Sequence, residues 1–140
     1  MPVEPRPYAA LILEAYEDEV AGAAYFDGLA RIHPQHAQFL QQCAALERTT
    51  AQRLTELLRR HQLTPAPQAT LDARGALDAR RDAARDWMSL MEQSADAYGA
   101  YVAAFRALEA LGPAEDQPAL AALTAHEIQL IDWLRAEARS

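Results

Sequence analysis

The stretch PQHAQFLQQCAALERTTAQRLTELLRRH, residues 34–61, decides the fold. Its apolar residues Phe39, Cys43, Leu46, Leu54, Leu57 and Leu58 fall on one face of a helix by their three- and four-residue spacing. Pro34 suits a first helical turn, where its missing N–H would have no partner anyway. Two polar residues intrude on the apolar stripe. Glu47 lies four residues after Cys43, and Thr50 lies between Cys43 and Leu54. Both are expected to face a core, where a carboxylate must be protonated, paired or ligated because burying it alone is expensive.

Working outward, three more segments repeat the helical period. The first, about 8–32, carries Tyr8, Ile12, Ala15, Gly22, Phe26 and Leu29. The next, about 82–111, carries Trp87, Leu90, Met91, Tyr98, Tyr101, Val102, Phe105 and Leu108. The last, about 116–138, carries Leu120, Leu123, Leu130, Ile131 and Leu134. Pro2, Pro5, Pro7, His33-Pro34, Thr64-Pro65-Ala66-Pro67, Gly75 and Gly112-Pro113 break the pattern between them. No segment shows the β-branched alternation of a strand. The predicted class is all-α, an antiparallel four-helix bundle over a single domain, 1–140. Short links make helices one and two, and helices three and four, hairpins. Residues 62–81 are expected to form a long crossover, with a short helix starting after Thr70. Such a crossover makes helices two and three parallel, with an up-down-up-down bundle as the alternative.

Composition narrows the function. The chain has 140 residues, 51% of them hydrophobic, and a net charge of −7 in which every basic residue is Arg. That balance speaks against nucleic acid as a partner. Arg74, Arg80, Arg81 and Arg85 alternate with Asp72, Asp78, Asp82 and Asp86, which reads as solvated helix surface with internal ion pairs. No apolar run approaches the ~20 residues of a membrane span. Met1–Pro7 lacks the basic-then-apolar order of a secretory leader, so a cytoplasmic location is expected. Cys43, the one cysteine, cannot form an intrachain disulfide and reads as a small buried hydrophobe.

Polar groups also interrupt the other stripes. On helix one, Glu14, Glu17, Asp18 and Glu19 crowd one and a half turns, so Asp18 or Glu19 is expected inward. On helix three, Ser94 sits between Met91 and Tyr98. On helix four, Glu127 is seven residues from both Leu120 and Leu134, and His126 lies on the adjoining flank. Singly these residues have ordinary readings. Clustered acids are usually solvated, and a histidine beside an apolar stripe is usually half-buried and hydrogen-bonded. Thr50 and Ser94 need only bond a carbonyl one turn back. Tyr25, Tyr98 and Tyr101 read as core aromatics with hydroxyls reaching partners. The unusual feature is that all four helices place a polar group near mid-length.

Asp18–Phe26 (DEVAGAAYF) together with Cys43–Ala51 (CAALERTTA) resembles the first helix pair of ferritin-like, rubrerythrin-type proteins. The resemblance implies a carboxylate-bridged dinuclear site, with Asp18, or its rival Glu19, as the helix-one ligand and Glu47 as the helix-two glutamate. Thr50 stands where that pattern has histidine, Ser94 falls near the helix-three carboxylate, and Leu123 and His126 occupy the second Glu-x-x-His. The di-iron site is therefore expected to be incomplete. At most one divalent ion of iron, manganese or zinc is expected, from Asp18, Glu19, Glu47, His126 and Glu127, with no catalytic residue assigned and enzymatic activity the lesser expectation. The alternatives are a metal-free helical scaffold or dimerisation module and a di-iron oxidase or peroxidase. A homodimer is expected through Trp87, Trp133 and the Ala-rich faces of helices three and four. A small-molecule substrate is not identified.

Overall fold

The structure, a computed structural model, describes residues 7–140. The reading of Met1–Pro7 as lacking a leader, and the breakers Pro2 and Pro5, therefore lie outside the described residues except at Pro7. The described chain is all-α and holds five α-helices. These are α1 (Tyr8–Ile32), α2 (Ala37–Arg60), α3 (Gln68–Asp82), α4 (Trp87–Leu111) and α5 (Gln117–Ala138), with single 3₁₀ turns at Pro34–His36 and Ala114–Asp116. No helix among the described residues is long and apolar enough to cross a membrane.

Two boundaries differ from expectation. Pro34 opens a 3₁₀ turn and not α2 itself, and α4 begins at Trp87, where Asp86 accepts a hydrogen bond from the Ser89 amide at 3.1 Å and caps the helix. The crossover holds more structure than a short helix. α3 spans 15 residues and packs along α1 as extensively as α2 does. Gly75 is no breaker but the contact point of this packing. A Cβ built there would lie 2.2 Å from the Ala21 carbonyl oxygen and 2.7 Å from Ala24 Cβ, and one on Gly28 would lie 2.8 Å from Ala79 Cβ. Small residues on both helices thus let the backbones approach closely, which accounts for the burial of Ala21, Ala23 and Gly28 off the α1 stripe read from sequence.

Two apolar clusters fix the helix directions. One holds Leu40, Cys43 and Ala44 from the start of α2 with Leu90 and Met91 from the start of α4 and Leu134 from the end of α5. The other holds Leu57 and Leu58 from the end of α2 with Phe105 and Leu108 from the end of α4 and Leu120 from the start of α5. Hence α2 and α4 run parallel, α1 and α5 run opposite to both, and α3 carries the chain back along α1. Polar knots close both ends. At one, the fully buried Asp116 accepts from Tyr8 Oη at 2.7 Å and from Arg60, and meets His61 Nε2 at 2.8 Å. At the other, Trp87 stacks on His36 at 3.7 Å and donates from Nε1 to Glu137 at 3.3 Å.

The Trp87 and Trp133 side chains named for a dimer surface both pack, partly buried, against the first cluster. The charged run on α3 also departs from plain solvated surface. Asp82 is buried and accepts from Tyr25 Oη at 2.8 Å, and Arg74 reaches across to Asp18 on α1. Replacing Gly75 by Ala adds roughly 1 kcal/mol of stability in an exposed helix. Here it is expected to remove about 1–3 kcal/mol through overpacking, read as a lower urea midpoint at unchanged m-value. A gain in stability would show that α1 and α3 stand further apart.

Candidate metal centre

Three helices each deliver one glutamate to the middle of the interior. Glu19 from α1, Glu47 from α2 and Glu127 from α5 are each only 4% exposed, and one carboxylate oxygen of each lies within 4.8 Å of the others. Among the described residues this is the His/Cys/Asp/Glu grouping with the spacing to hold an ion. The convergence follows from the stripes, since Glu47 continues the Leu40–Cys43 face and Glu127 continues the Leu120–Leu134 face. Gly22 makes room for it. A Cβ at that position would lie 3.2 Å from Glu47 Cδ, so the glycine lets the carboxylate lie against the α1 backbone.

The electrostatics are those of acids out of water. Burial, followed by the charges of Glu47 and Asp18, raises Glu19 well above the ordinary carboxylate range, and Glu19 and Glu47 share a hydrogen bond. Burial, with the charges of Glu127 and Asp18 adding to it, pushes Glu47 up to about 8. Burial and the charges of Glu19 and Asp18 push Glu127 up to about 9. Glu127 Oε1 is buried with no hydrogen-bond partner, and an orphaned carboxylate oxygen in this setting calls for a donor or a cation.

A cavity of about 250 Å³ joins the triad to the surface between α3 and α4, with Gly22, Tyr98, Tyr101 and Phe105 among its lining residues. Its mouth carries the Arg74–Asp18 pair and Arg81 with Asp78 and Asp82. A larger groove of about 520 Å³ lies on another side of α1, between α2 and α3, and its charged lining is the Asp27–Arg48 ion pair with Arg31 and Asp72. We assign the centre to the smaller cavity because only there do buried ionisable groups converge.

The five residues named from sequence separate into two groups. Glu19, Glu47 and Glu127 come together. Asp18 lies at the rim, held by Arg74, so its rival Glu19 takes the interior position on α1. His126 is half-buried on the flank of α5 with Nδ1 2.7 Å from Thr50 Oγ1. The Thr50 hydroxyl also lies 2.9 Å from the Leu46 carbonyl one turn back, so it bridges the α2 backbone and the imidazole. Burial and then Arg53 hold the ring below its ordinary pKa. Ser94 is half-buried in the cavity wall. Tyr25 is buried and Tyr98 partly so, whereas Tyr101 is 36% exposed and stands at the mouth, contrary to its reading as a core aromatic. The cavity wall supplied by α3 was not read from the sequence. The nearest clue was Arg74 and Arg81 recurring with Asp78 on one helical face.

Compared with family models, curated proteins and solved structures, the chain gives no significant match.

Because the folded chain binds protons at the triad more tightly than the unfolded chain does, it holds more of them between pH 4.5 and about 8 to 9. Stability of the metal-free protein is therefore present at the acidic end of this window and lost as pH rises through it, by at most about 1.4 kcal/mol per pH unit for each group. Denaturant midpoints measured between about pH 6 and 9 should fall with rising pH, and Glu47→Gln should flatten the slope. A midpoint that does not fall over the same range would show the carboxylates already ionised.

Proposed function

We propose that this chain is a ferritin-like four-helix bundle, formed by α1, α2, α4 and α5 with α3 as crossover, whose buried triad binds one divalent metal ion. The observation that carries the reading is the orphaned Glu127 Oε1 inside a convergent set of three glutamates. The parallel course of α2 and α4 supports the layout, and the cavity supplies a way in. An all-oxygen donor set suits a hard ion such as manganese or ferrous iron better than zinc, which favours nitrogen and sulfur. Glu19, Glu47 and Glu127 would hold it, with water completing the shell.

A dinuclear oxidase is disfavoured by the same residues. Two ions need about six protein ligands on the known four-helix pattern, and here Thr50 and the core residue Leu123 fill two of those positions while His126 is committed to Thr50. We therefore assign binding and not oxidation.

Manganese titration of chelator-treated protein, followed by electron paramagnetic resonance, is expected to give one bound ion per chain. Affinity should rise with pH as the triad loses protons, and Glu127→Gln should weaken it at least about tenfold. Equal trace binding by the wild type and by Glu47→Gln and Glu127→Gln would overturn the reading.

A second reading, self-association, is favoured by one observation. The outward face of α4 exposes Gly99, Ala100, Ala103, Ala104, Ala107 and Ala110, and Gly99 has nothing within 4 Å of a built Cβ. Asp96, paired with Arg135 of the same chain, precedes this patch and Arg106 lies beside it, so the face itself is uncharged. Sedimentation at micromolar concentration should show a dimer that Ala103→Glu dissolves; a strict monomer would remove this reading.

A further inference from the structure

The cavity above the triad is larger than one ion requires, and its walls are of a different kind from its floor. We infer that it is a binding site for a primary organic ammonium ion carried on a short aromatic or apolar chain. The inference uses the same carboxylates as the metal reading but does not rest on it.

The floor matches the head group. A primary ammonium offers three N–H donors in a tetrahedral fan and no acceptor. At N···O distances of about 2.8 Å, three acceptors in that fan stand about 4.6 Å apart. The triad presents one oxygen from each of three carboxylates within 4.8 Å of one another, and Glu127 Oε1 has no partner. An ammonium nitrogen above them would satisfy Glu127 Oε1 and share its remaining donors with Glu19 and Glu47.

The walls match the chain that bears it. Tyr98 and Tyr101 stand 5.7 Å apart by ring centroid, and Tyr101 and Phe105 stand 6.0 Å apart, so α4 lines the cavity with a continuous aromatic run. Such rings favour apolar carbon and also the positive edge of an ammonium. A space of about 250 Å³ accepts a short chain or a single ring.

Charge excludes the opposite class of ligand. With the triad ionised the lining carries six carboxylates against the two guanidiniums of Arg74 and Arg81, and with the triad protonated three carboxylates still outnumber them. Arg74 is paired with Asp18, and Arg81 with Asp78 and Asp82, so neither is free to anchor an anion.

The test titrates metal-free full-length protein with 2-phenylethylamine hydrochloride, read by calorimetry and by tyrosine ring shifts in NMR, with 2-phenylethanol as the uncharged control. Saturable one-to-one binding is expected, at least tenfold weaker for the alcohol and for Glu127→Gln. Tyr101→Ala, at the exposed mouth, should weaken the amine severalfold. Failure of the amine to saturate at millimolar concentration, or equal binding of the alcohol, overturns the inference. Manganese binding without amine binding overturns it and leaves the metal reading standing. Amine binding without manganese binding supports it and removes the metal reading.

Discussion

Three carboxylates held within a few ångströms of each other in an apolar interior are the constraint on which the middle of this molecule depends. Mutual repulsion and loss of water both oppose the ionised forms, so the metal-free protein must keep protons there that water would take away. The packing around them is consistent with that demand. Gly22 gives the Glu47 carboxylate space against the α1 backbone, and the polar floor is covered by rings from α4. The Tyr98 hydroxyl, close to the same charges, is itself pushed well above its ordinary pKa, by burial first and by Glu47 and Glu127 next.

The two apolar clusters on either side explain how the fold tolerates such a centre. Each lies toward one end of the helices, and each end is closed by its own polar knot, Asp116 with Tyr8, Arg60 and His61 at one and Trp87 with His36 and Glu137 at the other. Asp116 makes a useful contrast with the triad. It is equally buried, yet hydrogen bonds from His61, Tyr8 and Arg60 outweigh its burial and hold its carboxyl below the usual range. A buried acid with cationic partners serves structure; buried acids facing one another leave coordination capacity unused.

α3 converts this interior into a site with an entrance. By packing on α1 through Gly75 and Gly28 it comes close enough to place Arg74 and Arg81 at the cavity mouth, while α1 and α4 meet only sparsely and leave the gap that α3 borders. α3 is therefore a wall of the cavity as well as a connection.

The residues alone determined the all-α class, the positions of four long helices within a few residues, and the inward course of Glu47 and Thr50, because helical periodicity is a local property that each segment carries for itself. They also narrowed the interior ionisable groups to pairs, Asp18 or Glu19 and His126 or Glu127, and stopped there, since neighbours on a helix are only 100° apart and both lie near the boundary of the stripe. Tertiary structure made those choices. Arg74 on α3 draws Asp18 outward, Thr50 holds His126 to the flank, and Glu19 and Glu127 turn inward to meet Glu47. Gly75 changed meaning for the same reason. In sequence it marks a break, but against the Ala21 carbonyl it is the residue that lets two helices touch. Which side chain faces the centre depends on contacts between segments far apart in the chain, and no single segment encodes its neighbours.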